Sequence, residues 1–305
     1  MMTSINKSLN KNLTKQSIRL LSLSANSQMK LLPNFMKSKP EVAVIDLAGT
    51  IQAGRGGGLG ASRRLNIANL EKSIDKAFSY KKLKSVLLNI NSPGGSPAQS
   101  ELIANKITRL GKQKNVKVYS FVEDLAASGG YWLACAGHEI YATNNSFIGS
   151  IGVINAKFGF DELIKKYDVD WRVYTAGKSK SFMDPFQPEK EDDVLKIKYL
   201  LNAIHQNFID HVKKSRGGRL NANDDLLFNG DIWLAQDAIK HGLIDGIDDV
   251  CNFVEQRYGK VGEDVKLVRV NSPSANRFGL GGMFGGLTTP LDIQKDLFSK
   301  RFDVM

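Results

Sequence analysis

The feature that most constrains the fold is an alternation of short apolar runs with longer segments of helical periodicity. Val42–Leu47 and Val86–Ile90 are mostly apolar and of strand length. Between them, Ile67–Phe78 repeats its apolar residues every three to four positions, as one face of a helix does. Strands that alternate with helices along a chain predict an α/β fold with a mostly parallel sheet.

The same patterns predict the remaining elements. Ser96 is expected to be the N-cap of a helix that begins at Pro97, with Gln99 closing a capping box. Further strands are predicted over Val116–Val122, Glu139–Ala142, Ile148–Ile154, Trp171–Thr175 and Leu243–Ile247. A turn is predicted over Asp124–Gly130. Further helices are predicted over Tyr131–Ala136, Phe160–Tyr167, Pro188–Lys214, Trp233–His241 and Val250–Tyr258.

The positive charge of the chain is concentrated at its N-terminus. The 305 residues carry a formal net charge of +11, and the first 40 contribute six Lys and one Arg with no Asp or Glu. Residues 41–305 are therefore only mildly basic, and no nucleic-acid partner is predicted. A basic, Ser-rich and acid-free leader is typical of a mitochondrial presequence, so a matrix location is expected. A disordered tail on a cytoplasmic protein is the alternative.

Composition limits the remaining classes. Apolar residues make up 42% of the chain, which is enough to form a sizeable core. Two cysteines, Cys135 and Cys251, are too few for a disulfide framework, and Cys135 is interpreted as a small core residue. The sequence has no apolar run long enough for a transmembrane helix. The predicted organisation is a leader over 1–40, a folded domain over 41–260 and a Gly-rich flexible tail over 261–305.

Two predicted strand-to-helix turns are rich in small residues. In Asn91–Gly95 the paired glycines allow backbone N–H groups to converge, which suits an anion or a developing oxyanion. In Asp124–Gly130, Ser128 lacks bulky neighbours and opens a helix, where a serine is accessible to a substrate. Each turn alone is equally well described as a capped helix. A nucleophilic serine also needs a base, and none of the four histidines stands in a triad context.

Taken in order, several blocks of the chain resemble peptidase family S49, the family of signal peptide peptidase A and protease SohB. The resemblance covers roughly residues 42–258. The blocks are Val44–Leu47, Asn91–Gly95, Ala127–Tyr131, Ile148–Val153, Ala176–Lys180 and Ala238–Asp245.

The resemblance implies a fold and a mechanism. The fold is an α/β spiral of repeated strand-strand-helix units, as in ClpP and crotonase. The mechanism is a Ser–Lys dyad in which Ser128 matches the nucleophile, Lys180 the general base, and Ser150 the hydroxyl that orients the lysine. The backbone N–H groups of Gly95 and Ser128 would form the oxyanion hole. Neither a metal nor any other cofactor is expected.

The family pattern also implies how the site is assembled. Lys178 is the rival base, and the apolar residues from Phe182 to Phe186 are expected to desolvate Lys180. Short members of the family form rings with active sites at subunit boundaries, so a homo-oligomer is expected, and a peripheral position near a membrane is compatible with the resemblance. The expected substrates are apolar or unfolded peptides. A crotonase-like acyl-CoA enzyme and a noncatalytic assembly protein are the alternatives on the same fold.

Overall fold

A computed structural model of the protein describes residues 39–54, 64–177 and 179–271. The chain divides into two units between Pro40 and Glu41. Residues 1–38 of the predicted leader and most of the predicted tail lie outside the described residues, and so does Lys178. The sheet and the helices described below all belong to the unit that begins at Glu41.

Within the described residues, eight strands form one sheet, in which every pair is parallel except β5 with β6. The order is β6-β5-β3-β2-β1-β8, and β4 pairs with β3 and with β7. The strands are β1 (Glu41–Ala48), β2 (Leu83–Ser92), β3 (Lys117–Ala127), β4 (Glu139–Ala142), β5 (Phe147–Gly149), β6 (Ile232–Leu234), β7 (Gly246–Ile247) and β8 (Lys266–Arg269).

The long strand β3 has two partners on the same side. Its first part, Tyr119–Val122, pairs with β4, and its last part, Leu125–Ala127, pairs with β5. Strand β3 therefore pairs first with β4 and then with β5, and the second pairing places the end of β5 beside the end of β3.

Helices cover both faces of the sheet. They are α1 (Ile67–Ala77), α2 (Pro97–Lys114), α3 (Gly129–Ala134), α4 (Asp161–Lys166), α5 (Glu191–Arg216), α6 (Asp224–Leu227), α7 (Ala235–Lys240) and α8 (Val250–Tyr258), with a 3-10 turn at Gly217–Arg219. Ile45 and Leu47 of β1 pack into the larger core with α1, α2 and α3. Val42 and Val44 face the other way and pack with α8. Since side chains alternate along a strand, a strand that is apolar on both faces is buried on both faces.

This architecture confirms the predicted α/β fold with a mostly parallel sheet, and most predicted elements are present. Glu139–Ala142 and Val250–Tyr258 have the predicted bounds. The capping box is wrong, because the side-chain oxygen of Gln99 accepts a hydrogen bond from the N–H of Ile67 at the start of α1 (3.0 Å). Gln99 thus joins two helices where the local pattern predicts an intrahelical contact.

Four further predictions are corrected. Trp171–Thr175 is not a strand, and the predicted turn over Asp124–Gly130 is mostly the end of β3. The predicted helix from Trp233 begins as strand β6 and becomes helical at Ala235, because Ile148 pairs with Trp233. Strand β8 lies past residue 260, where the folded domain is predicted to end, and it pairs with β1.

Within the described ranges, no helix combines the length and the apolar character that crossing a membrane requires.

Candidate active site

Ser128 lies where β3 ends and α3 begins. Its backbone has φ 51° and ψ −123°, a conformation that is strained for a residue with a side chain. It occupies the N-cap position of α3, yet its hydroxyl makes no capping hydrogen bond. The side chain is partly exposed, whereas the residues on both sides of it are buried. A strained, accessible hydroxyl that does not cap its helix points to a functional role more than to a structural one.

Glycines make room for the turn that carries Ser128. A Cβ placed on Gly94 would lie 2.8 Å from the Cβ of Ser128 and 2.7 Å from the backbone N of Gly129. A Cβ on Gly129 would lie 3.3 Å from the backbone N of Gly95. The two small-residue turns identified in the sequence are therefore in direct contact, and only glycine permits their backbones to approach so closely.

The backbone amides of this region correct one part of the predicted oxyanion hole. The N–H of Ser128 donates a hydrogen bond to the carbonyl of Gly149 (2.8 Å), so it is not free to face a substrate. Its engagement follows from the pairing of β3 with β5, which continues one residue beyond Ala127. Among the described residues, no hydrogen-bond partner is found for the N–H of Gly95 or of Gly129. Those two amides lie on either side of the contact between the turns.

Ser150 lies beside Ser128 because of strand register. The last pair between β3 and β5 is Ala127 with Gly149, and the next residues of the two strands are Ser128 and Ser150. Ser150 also has a positive φ, 52°, and its N–H donates to the carbonyl of Asp231 (2.6 Å). The structure thus brings together Ser128, Ser150 and the Gly94–Gly95 turn at the carboxyl edge of the sheet, where α/β proteins place their sites.

In the described residues of one copy, no hydrogen bond joins Lys180 to Ser128. Lys180 is exposed and lies in a turn, with its backbone N–H on the carbonyl of Gly177 (3.1 Å). Among the described residues, no hydrogen bond or ion pair involves its amine. Phe186, expected to desolvate Lys180, packs on the ring of Trp171 at 4.9 Å between centroids. The predicted desolvation is therefore not supplied by this segment alone.

The segment around Lys180 leaves many apolar side chains uncovered. We call residues 154–177 and 179–200 the lysine segment. Tyr174 is 91% exposed and Phe158 is 81% exposed. Large apolar side chains grouped on a surface with such high exposed fractions are typical of an interaction surface. A cavity of about 290 Å³ in this segment is lined by Ser181, Met183 and Lys190 among others, and Ser128 is not part of its wall. The cavity is thus separate from the serine.

In the described part of the chain, neither Cys135 nor the three histidines that contact backbone groups show triad contacts. Ring nitrogens of His138, His205 and His211 lie within hydrogen-bond distance of backbone groups of Val118, Ile151 and Trp132. Burial lowers the pKa of His211, which stacks on the ring of Trp132 at 4.5 Å. Burial raises the pKa of the Cys135 thiol to about 11, which agrees with its interpretation as a core residue.

The structure also contains a buried ion pair that no local sequence pattern indicates. Arg216, at the end of α5, donates to the carboxylate of Asp245 (2.7 Å) and to the carbonyl of Gly242 (2.9 Å). Burial alone would raise the pKa of Asp245, but the hydrogen bond and charge of Arg216, with the N–H of Ile140 and the charge of Arg219, hold it below its usual range. Asp245 belongs to one of the blocks that resemble the family, but nothing near it in the sequence indicates its partner.

A family model and several relatives indicate the family of this chain. The model of "Peptidase family S49" matches residues 111–261. A putative protease of Methanocaldococcus jannaschii is 33% identical over 224 residues, which are 71% of this chain and 67% of that protein. A putative signal peptide peptidase SppA of Enterococcus faecium is 29% identical over 210 residues, 69% of this chain and 60% of that protein.

A further relative has a different name. The Na(+)/H(+) antiporter NhaA of Brucella melitensis biotype 1 is 46% identical over 239 residues, 78% of this chain. The chain spans about a third of that protein's length, so most of the antiporter has no counterpart here. Its name therefore carries no argument about this chain. The family match and the Methanocaldococcus relative show that the chain belongs to peptidase family S49.

Proposed function

We propose that this chain is a serine endopeptidase that uses a Ser–Lys dyad. Ser128 is the nucleophile, Lys180 the general base, and Ser150 the hydroxyl that orients the lysine amine. The observation that carries the proposal is the geometry of Ser128: a strained, partly exposed residue at a helix N-terminus, next to two backbone N–H groups that have no partner in the described chain. Membership of a peptidase family supports the same interpretation.

The oxyanion hole consists of the N–H groups of Gly95 and Gly129. The Ser128 amide is engaged by Gly149, whereas the Gly129 amide is the next one along the chain and lies against the Gly94–Gly95 turn. Preorganised donors of this kind stabilise the negative oxygen of a tetrahedral intermediate, typically by about 3–4 kcal/mol for each donor.

The reaction is an acyl transfer in two steps. The neutral amine of Lys180 takes the hydroxyl proton of Ser128, and the serine oxygen attacks the peptide carbonyl. The carbon–nitrogen bond breaks, and the lysine ammonium returns the proton to the leaving amine. Water, deprotonated by the same amine, then attacks the serine ester. The ester carbon–oxygen bond breaks, and the lysine ammonium returns the proton to the serine oxygen, which releases the acid and the free serine.

Lys180 reaches Ser128 of a second copy in this proposal. Two features of a single copy support that arrangement: the exposed position of Lys180, and the uncovered aromatic side chains around it. Covering the lysine segment with a neighbouring copy would exclude water from the Lys180 amine and from these aromatic side chains. Burial favours the neutral form of an amine, which is the form that a general base needs.

Apolar or unfolded peptides are the proposed substrates. The support is the name of the Enterococcus relative, a putative signal peptide peptidase, together with the apolar character of the surface around Lys180. An extended peptide suits this position, because Ser128 lies at the carboxyl edge of a sheet, where β3 and β5 end side by side.

The decisive experiment mixes two inactive variants. Ser128→Ala and Lys180→Ala are each prepared alone and also co-expressed, and cleavage of an unfolded, apolar-rich protein is followed. Each variant alone is expected to be silent, because removal of either dyad member costs about a thousandfold or more. Co-expression is expected to restore part of the activity, since some sites then combine an intact Ser128 with an intact Lys180.

Ser79→Ala and Lys112→Ala are the matched controls, because both residues are exposed, lie outside the lysine segment and are not part of the proposed site. Both controls should cleave like the unmodified chain. Activity in Ser128→Ala would contradict the proposed nucleophile. Silence of the co-expressed pair would place both dyad residues in one copy and contradict the shared site.

A further inference from the structure

The turn that presents Ser150 is held at three points. The N–H of Ser150 donates to the carbonyl of Asp231 (2.6 Å), and the N–H of Gly152 donates to the carbonyl of Ser150 (2.9 Å). The third point is the carbonyl of Ile151, which lies 3.0 Å from the Nε2 of His205. Of the residues that the structure describes, His205 is the one whose side chain forms a hydrogen bond to this turn.

His205 must act as the donor in this contact. A carbonyl oxygen only accepts hydrogen bonds, so the ring nitrogen that faces Ile151 carries a proton. The contact therefore persists whether the ring is neutral or charged. It also satisfies the carbonyl of a residue whose side chain is fully buried, where an unpaired group would be costly.

The part of α5 around His205 is well placed to hold the turn. The buried residues of this helix, Phe208, Val212 and Arg216, all lie after His205. Two more side chains of the same half, His211 and Ser215, bond to carbonyls of Trp132 and Cys135, at the end of the segment that Ser128 opens. One anchored half-helix thus contacts both chain segments that carry the proposed site.

The first half of α5 is different, since Leu195 and Tyr199 are exposed. His205 lies at the boundary between the two halves. Among the described residues, its contact with Ile151 is the hydrogen bond that joins α5 to the turn of residues 149–152.

We propose that His205 is a positioning residue for Ser150. It holds the turn of residues 149–152 so that the Ser150 hydroxyl stays beside Ser128, at the place where the lysine amine is received. The inference rests on the proposed Ser–Lys mechanism, in which Ser150 orients that amine. His205 itself touches neither the substrate nor the reacting atoms.

The test compares two substitutions in the full chain. His205→Leu has a similar volume but no donor, whereas the amide of His205→Gln can donate to the Ile151 carbonyl. His205→Leu is expected to lower kcat about tenfold or more with little change in KM, because a small misplacement of a catalytic group slows the chemical step. His205→Gln is expected to restore most of the lost kcat.

Hydrogen exchange of the amides in residues 149–152 gives a readout that does not need activity. It should accelerate in His205→Leu and return toward normal in His205→Gln. His138→Leu is the matched control, because the ring of His138 also bonds to backbone, at Val118 near the start of β3 and away from Ser150. That variant should leave both kcat and the exchange of 149–152 unchanged.

Each outcome decides the inference. Unchanged exchange at 149–152 in His205→Leu would show that His205 does not hold the turn. Faster exchange with an unchanged kcat would show that the turn needs no such support for catalysis, and would also overturn the inference. If the unmodified chain cleaves no peptide, the proposed function fails, while the exchange data still decide whether His205 holds the turn.

Discussion

The region around Ser128 and the lysine segment differ in how completely they are packed within one copy of the chain. Ser128 lies between buried residues, and a side chain added at Gly94 or Gly129 beside it would collide with neighbouring atoms. The lysine segment has no strand, and its aromatic side chains are largely uncovered. The first region is fully specified by intrachain packing, whereas the second has the surface of an element that packs against something else.

This difference has a thermodynamic consequence. A substitution lowers the free energy of unfolding most where the neighbouring atoms are tightly packed and cannot move, and least where the side chain faces water. Substitutions near Ser128 should therefore lower the free energy of unfolding of a single copy. Matched substitutions in the lysine segment should leave it almost unchanged and should act, where they act at all, on association between copies.

The largest contrast is expected along α5, which belongs to both regions. Phe208 is buried against Trp132, whereas Tyr199 is 71% exposed on the same helix. Phe208→Ala should lower the free energy of unfolding by about 3–5 kcal/mol, because it leaves a cavity in the core. Tyr199→Ala should change it by less than about 0.5 kcal/mol.

Urea denaturation, with sedimentation at several protein concentrations, measures both effects. Tyr199→Ala is also expected to weaken assembly, in line with the proposed shared site. A large loss of stability in dilute Tyr199→Ala would contradict the division of α5 into an anchored half and an uncovered half.

A smaller contrast is expected between two ion pairs. Asp245 pairs with the fully buried Arg216, whereas Asp170 pairs with Arg172 at the surface. Asp245→Asn should lower the free energy of unfolding by about 3 kcal/mol, because it leaves the buried guanidinium without its counter-charge. Asp170→Asn should change it by less than about 0.5 kcal/mol.

The pH dependence of stability gives Asp245 a signature of its own. Since the folded-state pKa of Asp245 is below its usual value, its contribution is present above the unfolded pKa of about 3.9 and is lost as pH falls through the folded pKa. Acidification below about pH 4 should therefore destabilise the unmodified chain more steeply than Asp245→Asn. Parallel acid profiles for the two proteins would argue against the depressed pKa.

The smallest contrast is expected between two glycines of positive φ. A Cβ on Gly95 would lie 2.1 Å from the carbonyl oxygen of Ile51, whereas a Cβ on Gly177 would meet no atom within 4 Å. Gly95→Ala should lower the free energy of unfolding by about 2–3 kcal/mol, from collision and backbone strain together. Gly177→Ala keeps only the strain and should cost about 1 kcal/mol. Equal losses in thermal or urea denaturation would mean that the turn around Gly95 adapts.

Local patterns predicted the elements whose sequence and burial agree. The apolar runs of β1 and β2 are strands, and the periodic segment from Ile67 is helix α1. Predictions were wrong where a distant partner decided the conformation. Ile232–Leu234 is a strand because it pairs with β5, and Gln99 caps α1 because that helix starts beside it. Neither contact is visible within a window of neighbouring residues.

The sequence indicated which residues belong to the candidate site better than it indicated the contacts between them. The residue types of the two small-residue turns were enough to indicate Ser128 and Gly95, since only a few residue types permit such turns. The register of β3 and β5 determines which backbone N–H groups can face a substrate. It places the Ser128 N–H on the carbonyl of Gly149, whereas the Gly129 N–H has no partner among the described residues. His205 and the Arg216–Asp245 pair had no local signal, because their partners lie far away in the sequence.

By itself, the sequence determined the α/β class, the buried strands and the chemistry available at the two turns. These follow from periodicity, side-chain volume and backbone freedom, which are local properties. Tertiary structure alone decided that Ser128, Ser150 and Gly95 meet at one edge of the sheet and that Lys180 stays exposed within one copy. The physical reason is that strand pairing and packing bring together residues of large sequence separation, and no short stretch of chain encodes which distant surface will cover it.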